Sequence, residues 1–128
     1  MNIVLDAGGV SALAQQRARL KELRRRGLWP AQVPTVVLTE ALTGDHRRDF
    51  HANRLLRTCQ IRDVGETQAR EAARLRAATG IAGTISAVDA VVAALAGQLP
   101  DAVVLTSDAR DLRRLAEHTA LPVRVISA

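Results

Sequence analysis

The sequence predicts an α/β fold with a central, mostly parallel sheet, and three observations lead to this prediction. Short uncharged runs such as Ile3–Leu5 and Ala102–Leu105 are apolar throughout, as in strands buried on both faces. Helix-favouring segments alternate with these runs, which is typical of parallel α/β sheets. At 128 residues, 48% of them hydrophobic and only 2% aromatic, the chain is expected to form one domain (1–128) with an aliphatic core.

The first predicted helix follows an Ala7-Gly8-Gly9 turn. It extends from about Val10 to Arg26, with inward leucines at positions 13, 20 and 23, and Gly27 is placed to end it. Its other sides are basic, and either a solvated face or a partner-binding surface explains that charge. The basic residues of this helix are Arg17, Arg19, Lys21, Arg24, Arg25 and Arg26.

Prolines and glycines divide the middle of the chain. Residues 29–34 are predicted as a loop, and Val36–Leu42 as a short strand that turns into a helix or as one helix. Asp45 is placed to cap a helix that continues to about Thr58. Three residues of that helix are expected to face the core: Phe50, Leu55 and Leu56.

The second half of the chain alternates more regularly between strands and helices. The predicted elements are a strand at Gln60–Val64, a helix at Glu66–Ala78, a loop at Ile81–Ile85, a helix at Ala87–Ala96, a strand from Ala102 towards Asp108, a helix at Ala109–His118 and a strand at Pro122–Ile126.

Composition narrows the functional classes. The net charge of +5, with Lys21 as the only lysine among 18 basic residues, suits an acidic or phosphate-rich partner, although a surface rich in arginine explains it equally well. The shortage of aromatic residues argues against nucleic-acid binding by base stacking. A single cysteine, Cys59, fits a reducing compartment, and no signal peptide or membrane span is evident, so we expect a cytoplasmic protein with no membrane partner.

Four acidic residues stand in apolar surroundings, where carboxylates are rare. They are Asp6, Glu40, Asp89 and Asp108. If the first strand and the strand before Asp108 are parallel neighbours, Asp6 and Asp108 reach the same crevice at the carboxyl ends of the sheet. Structural explanations remain open as well. Asp6 and Asp108 are placed to cap helices, Asp89 to complete a capping box with Ser86, and Glu40 to face water.

A shared site would explain all four acids at once, but four converging carboxylates repel one another. At about 5 Å and an effective dielectric constant of about 20, each pair costs roughly 3 kcal/mol. Cations or protons must offset that repulsion, and all-oxygen ligands favour Mg²⁺ or Mn²⁺. Zinc is disfavoured because the single cysteine and the three histidines lack compact ligand spacing. A hard cation in an acidic pocket of a basic protein suggests phosphodiester hydrolysis.

The order of these acids resembles the PIN-domain ribonucleases, and most closely the VapC toxins of type II toxin–antitoxin pairs. Asp6 follows the first strand, Glu40 lies in an early helix, Asp89 stands in Val88-Asp89-Ala90, and Thr106-Ser107-Asp108 follows a late strand. The resemblance covers essentially the whole chain. It implies a three-layer α/β/α domain and a Mg²⁺- or Mn²⁺-dependent endoribonuclease that cuts tRNA or rRNA. It also implies a homodimer and a cognate antitoxin protein as partner.

The resemblance assigns roles to individual residues. The four acids would be catalytic and metal-coordinating, Thr106 or Ser107 would support Asp108, and Asp111 would be a supplementary acid. The sequence departs from the family at Gly8, because many members carry Ser or Thr two residues after the first acid. A hydroxyl contact at that position therefore cannot be transferred to this chain.

Other functional classes give different expectations. A haloacid-dehalogenase-like phosphatase would have a second Asp where Gly8 stands, and a response-regulator receiver would have a Lys after a late strand, where this chain has none. A catalytically silent PIN fold that binds RNA or protein through its basic first helix remains an alternative. Such a module would bind its partner without the acids and without metal-dependent cleavage.

Overall fold

A computed structural model describes residues 1–128 and shows a five-stranded sheet in which every neighbouring pair is parallel. The strand order is β3-β2-β1-β4-β5. The strands are β1 (Asn2–Leu5), β2 (Gln32–Pro34), β3 (Gln60–Arg62), β4 (Ala102–Thr106) and β5 (Val123–Ser127). The prediction of an α/β fold with a parallel central sheet is confirmed.

The two central strands are the ones that the apolar pattern singles out. β1 pairs with β4 over its whole length, from Asn2 opposite Ala102 to Leu5 opposite Leu105. All five residues of β4 are buried, as are Ile3 to Leu5 of β1, because helices cover both faces of the sheet. β1 and β4 also flank the point at which the strand order reverses, and in open α/β sheets this point forms a ligand-binding crevice.

Seven helices cover the sheet and complete a three-layer α/β/α domain. Contacts among α1, α2, α3 and α4 form one layer, and contacts among α5, α6 and α7 form the other. None of these helices has the length and hydrophobicity that a membrane-spanning segment requires. The helices are α1 (Ala7–Ala14), α2 (Arg17–Arg25), α3 (Leu38–Ala41), α4 (Phe50–Leu56), α5 (Glu66–Ala78), α6 (Ala87–Ala96) and α7 (Ala109–Ala116).

The first helical segment is where the sequence prediction is most clearly wrong. Helix α1 begins at Ala7 rather than Val10, and the single predicted helix is two helices separated at Gln15 and Gln16. The amides of these glutamines donate three residues back, to Ala12 and Leu13, which tightens and ends the helix. The bend lets Leu20 and Leu23 of α2 pack against the core.

The predicted loop at residues 29–34 contains β2, whose position between β1 and β3 is stabilised by a partly buried polar contact. The side-chain carbonyl of Gln32 accepts a hydrogen bond from Arg62 at 2.8 Å. Pro34 ends the strand, where its missing N–H disrupts the ladder least. The next segment is a 3-10 helical turn at Thr35–Val37 followed by α3, so the helical alternative was correct there.

Helix α4 begins later than predicted because Asp49 has another role. Its buried carboxylate accepts N–H bonds from Thr43 and Gly44 at 2.8 Å, which fastens the preceding loop, while Asp45 caps only a short turn. Leu55 and Leu56 are buried as expected, but the prediction for Phe50 is wrong, since its side chain is 56% exposed. A 3-10 turn at Ala82–Thr84 interrupts the predicted loop before α6.

Candidate functional site

The carboxyl ends of β1 and β4 form one edge of the sheet, and α1 starts unusually close to it. A Cβ atom on Gly9 would lie 2.2 Å from the carbonyl oxygen of Leu105, and one on Gly8 would lie 2.0 Å from the hydroxyl oxygen of Ser107. These glycines therefore allow the first turn of α1 to rest against the end of β4. Neither has a positive φ, so close approach rather than turn geometry requires them.

Asp6 follows β1 and is held from both sides. Its Oδ1 accepts the N–H of Gly9 at 2.7 Å, which caps α1, and its Oδ2 accepts a hydrogen bond from the hydroxyl of Thr106. Burial raises the pKa of Asp6, these two hydrogen bonds oppose that increase, and the charge of Asp108 adds to it. Asp6 is thus a buried carboxyl group with a fixed orientation at the end of the central strand.

Thr106 connects the ends of the two central strands. Besides contacting Asp6, its side-chain oxygen accepts the backbone N–H of Asp108 at 3.0 Å. Asp108 in turn accepts the N–H of Arg110 at 3.3 Å and caps α7. The resemblance implied that the hydroxyl of Thr106 or Ser107 supports Asp108. In the structure the Thr106 hydroxyl contacts Asp108 through its backbone and also bonds the carboxylate of Asp6.

Asp89 reaches the same edge from the first turn of α6. The hydroxyl of Ser86 accepts the N–H groups of Val88 and Asp89, as the capping-box pattern predicts, but the carboxylate of Asp89 does not bond back to Ser86. The pKa of Asp89 is raised to about 6. Burial is the largest cause, followed by repulsion from Asp6 and Glu40 and then from Asp111 and Asp108. The five acids therefore share one electrostatic neighbourhood in which no basic side chain offsets the charge of Asp89.

Glu40 and Asp111 lie at the margin of this cluster. Glu40 is exposed on the short helix α3, and Asp111 is half-buried in the first turn of α7, 4.0 Å from a guanidinium nitrogen of Arg114. The structure brings all four predicted acids to one sheet edge. It does not bring three of them close enough together to hold one ion in the side-chain positions shown.

A second feature lies on the layer formed by α1, α2 and α4. A cavity of about 210 Å³ has an apolar floor that includes Leu13, Leu20 and Leu55. Arg17, Arg24 and Arg54 line it as well, together with His51. Part of the predicted basic patch is thus a lining of this cavity. Arg25 and Arg26 instead pair with Glu22 on the helix surface.

Comparison with known proteins identifies the fold family. The profile of the PIN domain matches residues 3–118. The chain belongs to the PIN-domain family. This PIN domain has no significant match among curated protein sequences. The matched segment includes the strand ends at Asp6 and Asp108 and the helices that present Glu40 and Asp89.

Solved structures share the fold over nearly the whole of this PIN domain. A chain of the DNA-bound VapBC structure from Salmonella typhimurium aligns with a TM-score of 0.75 and 16% identity, covering 99% of this chain and 98% of the other. A chain of VapBC2 from Rickettsia felis, bound to a promoter DNA fragment, aligns at 0.67 and 13%, covering 98% and 99%. PAE2754 from Pyrobaculum aerophilum aligns at 0.65 and 17%, covering 97% and 83%.

Sequence reasoning missed how closely α1 and β4 approach each other. Gly8 and Gly9 were interpreted as turn residues, although the contacts that require them are made with residues almost 100 positions later in the chain. The adjacent glycines at the start of a helix are the available signal, because glycine inside a helix is otherwise unfavourable by about 1 kcal/mol. Thr106 was named, but not its bond to Asp6.

Proposed function

We propose that this PIN domain is a Mg²⁺- or Mn²⁺-dependent endoribonuclease of the VapC toxin type, and that tRNA or rRNA is its substrate. The observation that carries the proposal is that Asp6, Glu40 and Asp108 all lie near enough to Asp89, at the carboxyl ends of β1 and β4, to raise its pKa by charge repulsion after burial. Family membership and the likeness to VapBC chains support it. Only Asp6 is buried and Asp89 is half-buried, but like charges gathered at a strand-order reversal are costly to maintain and mark ligand sites rather than cores.

The chemistry of the donor set fits a hard divalent cation. All four groups offer carboxylate oxygens, the ligands that Mg²⁺ and Mn²⁺ prefer. Burial, followed by repulsion from the neighbouring acids, raises the pKa of Asp89, and a cation bound among these acids would relieve the repulsion. Exposed Glu40 and Asp108 have room to move closer, whereas Asp6 is fixed.

The roles of the protein's own residues follow from these contacts. Thr106 and the Gly9 amide orient Asp6, and each carboxylate oxygen of Asp6 keeps a second lone pair available to a ligand. Asp108, Asp89 and Glu40 supply further oxygens from three different elements, so that binding depends on the folded sheet edge. When bound, a hard cation supplies Lewis acidity towards water and the phosphodiester group. Asp111 adds negative charge from the first turn of α7.

We further propose that a cognate antitoxin protein binds this domain and that the domain forms a homodimer. The neighbours named VapBC are complexes, which supports a protein partner. The cavity between α1, α2 and α4 is a suitable docking surface, because its apolar floor and its three arginines fit an acidic segment with an apolar anchor.

Cleavage is tested by incubating purified protein, free of any partner, with total cellular RNA in Mg²⁺ or Mn²⁺. Discrete fragments are expected, and both chelator and the isosteric variant Asp89→Asn should abolish them. Asp63→Asn, at an exposed acid outside the cluster, is the matched control and should cleave normally. Fragments that persist in chelator or in Asp89→Asn would contradict the proposed site.

The alternative is a catalytically silent PIN fold that binds RNA or protein, and the arginines of the α1–α2–α4 cavity favour it. Under that alternative, Arg24→Ala would weaken binding while Asp89→Asn would not, and no fragment would depend on metal. The complete set of acids argues against this alternative. A module without catalytic activity would gain nothing from carboxylates whose burial and mutual repulsion cost free energy.

A further inference from the structure

A shallow groove of about 690 Å³ runs along α1 beside the acidic edge of the sheet. No charged residue lines it, although the protein has a net charge of +5. Its polar lining consists of four exposed side chains, and none of them has a hydrogen-bond partner within the chain. They are Ser11, Gln15, Gln16 and Ser107.

Ser107 connects this groove to the acids. It lies between Thr106, which bonds Asp6, and Asp108, which caps α7. A Cβ atom at position 8 would lie 2.0 Å from the Ser107 hydroxyl oxygen and 2.8 Å from its Cβ. The side chain of Ser107 therefore occupies the space that a side chain at Gly8 would need, and the glycine keeps the hydroxyl at the end of the groove.

We propose that this groove binds the ribose-phosphate backbone of RNA beside the cleaved bond, with Ser107 as the contact nearest the acids. Hydroxyl and carboxamide groups donate to phosphate oxygens and can both donate to and accept from a ribose 2′-hydroxyl. The groove has no aromatic residue on which bases could stack, which favours recognition of the backbone.

This inference rests on the proposed function, so its test measures binding separately from cleavage. In the Asp89→Asn background, fluorescence anisotropy at fixed salt compares a single-stranded RNA with DNA of the same sequence. Ser107→Ala and Gln16→Ala should each weaken RNA binding by about fivefold, the effect of one lost hydrogen bond. The matched controls, Thr67→Ala and Gln98→Ala, lie together beside the far end of α6 and should bind like the parent.

The outcomes distinguish the two proposals. A loss confined to RNA assigns the contact to the 2′-hydroxyl, and an equal loss for RNA and DNA assigns it to phosphate. Unchanged affinity in both groove variants, or no binding by the parent, overturns the groove while metal-dependent cleavage by the wild type would still support the nuclease. If the groove variants bind RNA more weakly but the wild type never cleaves RNA, the proposed RNA-binding groove stands and the proposed nuclease activity is refuted.

Discussion

Replacing Asp89 by Asn should stabilise the cation-free protein at neutral pH. Burial, followed by repulsion from neighbouring acids, raises the pKa of Asp89 from 3.8 to about 6. The folded protein therefore binds a proton on the Asp89 carboxylate more tightly than the unfolded chain does. The resulting stability is present below about pH 4 and is lost as the pH rises to about 6.

The size of the effect follows from the same pKa difference. Fully expressed, it corresponds to about 3 kcal/mol in the free energy of unfolding. Asp89 is only partly buried, and water screens its charge, so about 1–2 kcal/mol is the expected gain for Asp89→Asn. Asparagine retains the volume of the side chain and the backbone N–H that Ser86 caps, so packing should not change.

Urea unfolding in chelator, followed through the fluorescence of the single Trp29, measures this gain. At about pH 7.5 the variant should be more stable than the wild type, and by about pH 4 the two curves should coincide. Asp63→Asn, which removes an exposed charge outside the cluster, should shift neither curve appreciably. A variant that is equally or less stable at neutral pH would refute the reasoning.

Three further predictions concern neighbouring contacts. Gly9→Ala should destabilise the protein by about 1–3 kcal/mol in urea unfolding, because the new Cβ would lie 2.2 Å from a β4 carbonyl oxygen. Gly83→Ala is the control and should not destabilise the protein, because the space around Gly83 is open. Equal stabilities of the two variants would contradict the close approach of α1 to β4. Thr106→Val should lower the free energy of unfolding by about 1–3 kcal/mol and raise the pKa of Asp6 further, because the hydroxyl that bonds the Asp6 carboxylate is lost. Carboxyl NMR titration measures this pKa. An unchanged value would show that the Thr106 hydroxyl does not bond Asp6. Burial raises the pKa of the Cys59 thiol to about 11. A thiol reagent at about pH 8 should therefore react much faster with the unfolded protein than with the folded protein. Equal reaction rates would contradict the burial of Cys59.

The central part of the fold was predictable because its signals are local. Continuous apolar runs identified β1 and β4, and acids directly after or within apolar segments identified Asp6, Asp89 and Asp108 as unusual. The pairing of β1 with β4 was a hypothesis, which the sheet confirms. Assignment of these residues to a metal site stays a prediction.

What the sequence did not predict depends on contacts between distant segments. Gln15 and Gln16 are good helix formers, so nothing local marks the bend at which α1 ends, and tertiary packing of α2 decides it. Phe50 is apolar yet exposed at the first position of α4, directly after Asp49, which fastens the preceding loop. The groove beside Ser107 likewise exists only after α1 packs against β4.

The measurement that tests the metal site most directly is a Mn²⁺ titration followed by electron paramagnetic resonance. The wild type should bind Mn²⁺, and each isosteric variant Asp6→Asn, Glu40→Gln, Asp89→Asn and Asp108→Asn should weaken binding by at least about tenfold. Asp63→Asn should retain the wild-type affinity. A wild-type protein that binds no Mn²⁺, or binds it equally well without these acids, would contradict the assignment of the sheet edge as a metal-dependent nuclease site.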